Sequence, residues 1–381
     1  MGQLLSTLRF DCMTAACDGV VTVRQGDLYG FFGGDGLYAP CVWEKTDYFR
    51  EGLAAVRQDG KWGFIDRRGE VAIPCNWEEA GAFHEGLAQV RQGGRWGFVN
   101  ERGELVIPCV WDRAGHFNEG LARVMRGGKW GFIDRRGELA VPCVWEAVSP
   151  FIEGMATVER GGLQGCVDGR GELVIPCAWE AMRFFNGAAA TAMLREGRWY
   201  FVDRRGKTAF PGAFQNADWF SDGLAMVRQD GKWGFIDENG ELTIPCVWDG
   251  AFPFDGGLAQ VRQGETWGFI DRRGELAVPC VWDEAQAFAD GLAAVRRGEK
   301  WGFVNARGEL ALPRVWEVAF SFDGGIAKVR RGGKWGLIDV DGAAILPCVC
   351  TSRMLLTSRG YGFALQKHRL RVFDRRGELA L

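Results

Sequence analysis

The pair Trp-Gly occurs at Trp62-Gly63, Trp96-Gly97, Trp130-Gly131, Trp233-Gly234, Trp267-Gly268, Trp301-Gly302 and Trp335-Gly336, and neighbouring copies stand 34 residues apart wherever the series is unbroken. A fixed period of this size signals a solenoid, propeller or array, in which each unit buries its apolar face against its neighbours. That overrides the two or three domains that 381 residues would otherwise suggest. A catalytic motif is needed once. A pair present in almost every unit is read as structural, and a strand glycine marks a close approach of another group. The expectation is a stacking joint, with an indole from a neighbouring repeat lying over the bare glycine backbone.

One unit, residues 86–119, shows the local pattern. LAQVRQ alternates apolar and polar with period two, as a half-buried strand does. Gly93-Gly94 is a two-residue hairpin turn, filled by Asp59-Gly60 and Asp230-Gly231 elsewhere, because these residues tolerate positive φ. RWGFVN is a second strand. LVIP is a third, ended by Pro108, and VWDRAGHFNEG connects to the next unit with Trp111 and Phe117 as anchors. Each unit therefore reads as a three-stranded antiparallel meander plus an anchored connector.

The segment EGLAAVRQDGKWGFIDRRGEVAIPCNWEEAGAFHEG resembles the WG-repeat family, and the resemblance runs from about Val21 to Leu381. It implies a repetitive β architecture common in bacterial proteins and often thought to mediate protein contacts. It implies no catalytic residues and no cofactor. A weaker likeness to choline-binding repeats is opposed by the longer period.

Residues 1–20 form an N-terminal segment, and residues 21–381 hold about ten to eleven repeats. Both ends diverge: Leu28-Tyr29-Gly30 is a degenerate first unit, and the last keeps only DRRGELA. Divergent ends fit capping units. The one internal break lies at roughly 155–222. There Gln164-Gly165 lacks the tryptophan, Tyr200 replaces the glycine, Gly212 and Phe214 replace the usual Cys and Trp, and the first hairpin reads as longer by two residues. The break is drift, a specialised site or a boundary between half-arrays. The fold expected is all-β, tandem three-stranded meanders in an open superhelical array; a propeller-like arrangement, two five-bladed rings with the connector as fourth strand, is the alternative.

Eight of the twelve cysteines follow a proline, one per repeat (Cys41, Cys75, Cys109, Cys143, Cys177, Cys246, Cys280, Cys348). They read as reduced core thiols, since the slot also tolerates Gly212 and Arg314. There is no Cys-x-x-Cys pair and there are three histidines, so no metal site is expected. An acid follows each connector Trp, a carboxylate or amide ends the second strand (Asp66 through Asp374), and an Arg ends many first strands; turn chemistry and cross-strand pairs explain them, a charged recognition track being the alternative. The 46 basic and 49 acidic residues leave no basic surplus for nucleic acid. No apolar run of ~18 residues and no secretory leader is visible, so a cytoplasmic protein without membrane contact is expected; the start Met-Gly with Ser6 fits a loose myristoylation pattern.

No nucleophile elbow, P-loop, HExxH or Rossmann fingerprint occurs. His84 and His116 lie in connectors and, with His368, share no repeat position. The expected function is a non-enzymatic scaffold, without cofactor, that binds another protein through an extended β surface. The alternative is a carbohydrate, cell-wall or small-ligand module gripping its ligand with exposed aromatics. Within the break, Gln164, Tyr200, Trp219 and Phe220 are the candidate partner-binding residues. An enzyme there would have only Cys166, Asp168, Glu196 and Asp203 to work with.

Overall fold

A computed structural model describes residues 10–17, 20–33, 36–183, 185, 188–350, 354–356, 362–366 and 369–373. Ser6, Gly187, His368 and Asp374, and with them the myristoylation pattern and the whole of the final DRRGELA, lie outside the described residues. Every named element is a β-strand. Among the described residues there are eleven sheets, nine of four strands and two of three, each an antiparallel meander in chain order. The tandem all-β repeat stands as the period required. The chain divides into two compact units, Met1–Val144 with Gly332–Asp339 and Ala343–Leu381, and Trp145–Arg331 with Val340–Gly342. The unit boundary thus falls ahead of the irregular segment. The first strand, Cys12–Cys17, pairs with Val20–Gln25, so the first sheet begins inside the segment set aside as N-terminal.

The sheets carry a fourth strand beyond the three of the meander read from each repeat. In the repeat around Trp96 the strands are Glu79–Ala80, Leu87–Gln92, Arg95–Asn100 and Leu105–Trp111. The connector contributes the two-residue first strand, through Val90↔Ala80 and Arg91↔Glu79. It then turns back through a second two-residue turn, which the sequence hides. Arg50 and Leu53 exchange backbone hydrogen bonds at 2.9 and 3.1 Å across Glu51-Gly52, and both turn residues have positive φ (53° and 86°). Glu85-Gly86, Glu119-Gly120 and Glu153-Gly154 repeat this conformation. Glutamate is an unusual left-handed residue. Its side chain supplies the compensation: Glu51 Oε1 and Oε2 accept from the backbone N–H groups of Glu85 and Gly86, one repeat on, at 2.8 and 2.9 Å. Asp222 holds Gly257 and Asp290 holds Gly325 in the same way, at 2.8 and 2.7 Å.

The glycine of Trp-Gly has a different duty from the expected joint. A Cβ on Gly63 would stand 2.5 Å from the Ile73 carbonyl oxygen and 2.7 Å from the Cys75 amide nitrogen, both in the next strand of its own sheet. Trp62 pairs with Trp77 and Phe64 with Ile73, so three residues around Pro74-Cys75 bulge over the single Gly63. The bulge needs a bare backbone beneath it. Contact between repeats is made elsewhere. The turn glycine Gly103 (φ +77°) sits 3.0 Å, measured from its would-be Cβ, above Ile73 of the preceding repeat, and Gly137 stands likewise over Ile107 at 3.1 Å.

Between consecutive sheets lies a core repeated with the period. Phe64 and Ile73 of one sheet meet Phe83, Ala88, Val90 and Val99 of the next, with Cys109 packed against them. Phe64 and Phe83 cross edge to face at 4.9 Å, Phe98 and Phe117 at 4.9 Å, Phe235 and Phe254 at 4.8 Å, and Phe269 and Phe288 at 4.7 Å. Such pairs add about 0.5–1.5 kcal/mol beyond their burial. The eight Pro-Cys cysteines are free thiols, half-buried rather than fully buried, and Cys75 Sγ donates to the Val56 carbonyl at 3.8 Å.

The break is smaller than 155–222. The sheet of Gln164 has four strands and the same register as its neighbours. The deviation is the three-stranded sheet Ala181–Met182, Ala190–Arg195 and Arg198–Asp203. Its hairpin has ordinary length: six residues a side across Glu196-Gly197. The two-residue insertion expected in that hairpin is not there; instead the connector is one residue longer, Ala190 following Trp179 by eleven positions where Leu121 follows Trp111 by ten. Tyr200 fills the glycine slot, so no strand bulges over it, and only the isolated bridges Trp199↔Phe214 and Val202↔Thr208 survive.

Candidate interaction surface

Opposite each motif tryptophan stands the penultimate residue of the preceding strand, which runs one residue past the Arg that the sequence suggested as its end in many repeats. The Cα partners are Arg57↔Trp62, Arg91↔Trp96, Arg228↔Trp233 and Arg262↔Trp267. The Arg228 and Arg262 guanidinium groups lie 5.8 and 5.7 Å from the ring centroids of Trp233 and Trp267. Around Trp130 the cation comes from Arg123, at 5.7 Å. These are cation–π distances. The motif tryptophans are half-buried, apart from the buried Trp301. The connector tryptophans other than the half-buried Trp77 are core residues, with Trp111 only 2% exposed and Trp43, Trp145, Trp179, Trp248, Trp282 and Trp316 also buried. Eight of the seventeen indoles are therefore buried, and none of the other nine is more than half-exposed.

The repeated carboxylates have backbone partners. Glu78 accepts from Gly93 and Gly94, both at 3.0 Å, across the hairpin turn. Those bonds hold the Glu78 carboxyl below its usual range. Asp112, Glu146, Asp249 and Asp283 cap the turn amides of Gly127, Gly161, Gly264 and Gly298 at 2.7–2.8 Å. Asp66 Oδ1 accepts from the amides of Arg68 and Glu70 at 2.8 and 3.0 Å. Ion pairs such as Arg296–Glu284 at 2.6 Å lie at the surface. Turn chemistry accounts for these charges.

Recesses lie along the connectors of the second unit, and two of them have room for a side chain. Phe252, 52% exposed, stands at the rim of a cleft of about 460 Å³ with Pro253, Leu258, Phe269 and Phe288. Its ring is 5.6 Å from Trp267. A second recess, about 260 Å³, is lined by Val148, Ser149, Glu159, Gln164 and Met182.

The four residues expected to form a site have different fates. Gln164 lines the second recess. Tyr200 is half-buried, 6.3 Å from the Trp179 ring, within an apolar cluster. Trp219 is half-buried on the strand Asn216–Ser221. Phe220 is a correction: at 4% exposure it packs 5.2 Å from Phe201, as the connector phenylalanine of its repeat, and offers a partner no surface. The titratable groups of the segment are not gathered. Asp168 accepts from the amides of Arg170 and Glu172, both at 2.9 Å, and Asp203 from those of Arg205 and Lys207 at 2.9 and 2.8 Å. Glu196 is a turn residue with φ 53°. Burial pushes the Cys166 thiol up to about 12.

Two features escape a linear reading. His84 and His116 occupy different repeat positions, yet their rings stack at 4.1 Å, with Arg50 Nη1 3.5 Å from His84 Nδ1. Burial, then the neighbouring positive charges, lower both pKa values. The Phe252 cleft is the other: Phe252 occupies a connector slot where most repeats carry small or polar residues. Among the described residues, no cluster of three or more His, Cys, Asp or Glu is placed to hold a metal ion, and no helix is long and apolar enough to cross a membrane.

Among solved structures, the chain is similar to a crystal structure of a eukaryotic initiation factor (TM-score 0.42, 13% identity, covering 86% of this chain and 94% of that one). It is also similar to Kluyveromyces lactis Hsv2p (TM-score 0.33, 11% identity, 60% and 93% covered) and Saccharomyces cerevisiae Sqt1 (TM-score 0.34, 11% identity, 71% and 95% covered). No curated protein matches it. The model of the WG containing repeat matches residues 39–62, 62–96, 96–130, 130–163, 201–233, 233–267, 267–301 and 301–335, passing over the stretch around Gln164 and Tyr200. These matches cover well over half of the sequence, and the chain belongs to the WG containing repeat family.

Proposed function

We propose that the chain is a non-enzymatic scaffold that binds a protein partner along its connectors. One observation carries this reading. The recurring carboxylates are engaged by backbone amides, while Phe252 stands 52% exposed over an apolar cleft of about 460 Å³ that the fold leaves open. Recesses of this size with an aromatic rim suit an inserted side chain. The scattered positions of Cys166, Asp168, Glu196 and Asp203 support the non-enzymatic part. The near balance of 46 basic and 49 acidic residues supports a protein rather than a nucleic-acid partner. The carbohydrate alternative loses ground with the burial of the connector tryptophans.

The test is capture from a lysate of the native host by immobilised wild-type chain and by Phe252→Glu, read by mass spectrometry. A protein held by the wild type and lost by the variant supports the reading. Identical capture by both baits, or none by either, removes it.

A further inference from the structure

The second recess is the place of a missing indole. In the repeat of Trp267 the indole lies against three connector and strand residues. Its Cη2 atom is 3.4 Å from where a Cβ on Gly250 would be, its ring is 5.6 Å from Phe252, and Arg262 lies 5.7 Å from its centroid. The equivalent residues three repeats earlier are Ala147, Ser149 and Glu159, and all three line the recess beside Gln164. Gln164 is the residue standing where the tryptophan would be, paired across the strands with Glu159 as Trp267 is with Arg262. Both members of the pair have changed together. An indole and its cation have given way to a carboxamide and a carboxylate. The backbone beneath has not moved with them, because Gly165 still lies under Pro176-Cys177 and the sheet keeps four strands. The slot is about 260 Å³, walled by Val148, Val158 and Met182, with the Glu159 carboxylate also lining it. That is below the size of most small-molecule sites, about 300–1,000 Å³.

We infer that this slot accepts an aromatic side chain from a partner protein, next to a basic residue that pairs with Glu159. This rests on the scaffold reading and gives it a specific contact. The partner supplies in trans the indole that the regular repeats supply in cis. The ring fills the slot of the indole, and the charge complements the carboxylate that replaced the arginine.

The test is a titration of the full chain, with methionine methyl groups labelled, by two capped dipeptides, N-acetyl-Trp-Arg-amide and N-acetyl-Trp-Glu-amide. The Met182 methyl resonance, identified with Met182→Leu, reports occupancy. The expected result is a saturable shift at millimolar concentrations, with the Arg peptide about tenfold tighter: roughly threefold from attraction and threefold from avoided repulsion, the range of a partly exposed ion pair. Gln164→Trp, which restores the residue of the regular repeat, abolishes the shift. Glu159→Gln, which keeps the volume, leaves both peptides bound and erases the preference. A Met182 signal that stays still, or that shifts equally in Gln164→Trp, overturns the slot. So does a preference that persists in Glu159→Gln. A silent Met182 together with Phe252-dependent capture removes the slot alone; loss of that capture removes the scaffold reading itself.

Discussion

The most restrictive residue in each repeat is the glycine after tryptophan, and its restriction is steric rather than conformational. A Cβ on Gly131 would meet the Val141 carbonyl oxygen at 2.5 Å and the Cys143 amide nitrogen at 2.7 Å. Gly128 in the same sheet has φ +77° and open space around it. Alanine at Gly128 should cost only the left-handed penalty of about 1–2 kcal/mol. Alanine at Gly131 should cost about 3 kcal/mol or more, because backbone atoms on both sides must shift. Thermal unfolding of the two variants decides it; an equal or smaller loss at Gly131 would remove the bulge argument. Cys166 stands in the slot that phenylalanine fills in most repeats, buried among Ile175, Phe185 and Met193. With its thiol pushed up to about 12, the protonated form it stabilises persists below the ordinary value of 9.0 and is lost as pH rises towards 12. At pH 8 the half-buried Cys177 should therefore alkylate well before Cys166, followed by peptide mass spectrometry. Faster labelling of Cys166 would contradict its burial.

At the scale of the sheet, the fourth strand depends on the glycine of the third. Where Tyr200 stands in that slot, residues 208–214 make only isolated bridges. Gly212, in place of cysteine, takes φ 124° instead of continuing a strand. Gly131→Tyr should therefore turn a regular four-stranded sheet into a three-stranded one. Hydrogen exchange would show amides of Leu139–Trp145 losing protection while the hairpin Leu121–Arg126 with Lys129–Asp134 keeps it. Uniform loss across the sheet would mean that the hairpin depends on its last strand. The sequence announced the hairpin because Asp-Gly and Gly-Gly are recognised turn formers. It concealed the second turn, because Glu-Gly is not. Glu51 and Glu85 adopt the left-handed conformation only because their carboxylates reach amides one repeat on, at 2.8–3.0 Å. No local signal records a bond made 34 or 35 residues away.

At the scale of the molecule, consecutive repeats are joined by recurring contacts, and the stacked histidines make one of these joints respond to pH. His84 and His116 face each other, with Arg50, Arg123, Glu51 and Glu85 around them. Both titrate below the ordinary 6.5, so the folded state prefers them neutral. The stability this contributes is present above 6.5 and is lost as pH falls through the lowered folded values. The urea midpoint should drop between pH 7.5 and 5.5, and the double variant His84→Gln, His116→Gln should flatten that drop. A pH profile identical in both proteins would show that the pair is energetically silent.

Period, the three longer strands of each unit and hairpin position follow from the sequence alone, because they rest on alternation and turn residues that act within a few positions. The family is legible for the same reason: the pattern recurs in almost every repeat. What each invariant residue does was decided only by packing. The glycine serves the Pro-Cys bulge of its own sheet, Phe220 is core, and the joint between repeats is made by turn glycines, paired phenylalanines and glutamates. Of the candidate residues, Gln164 was visible as a missing tryptophan, but Glu159 became its counterpart only through cross-strand register, and His84 met His116 only through stacking of successive repeats. Such contacts are set by the rise and rotation from one sheet to the next, a geometry that emerges when whole apolar faces are buried together and that no short stretch of residues encodes.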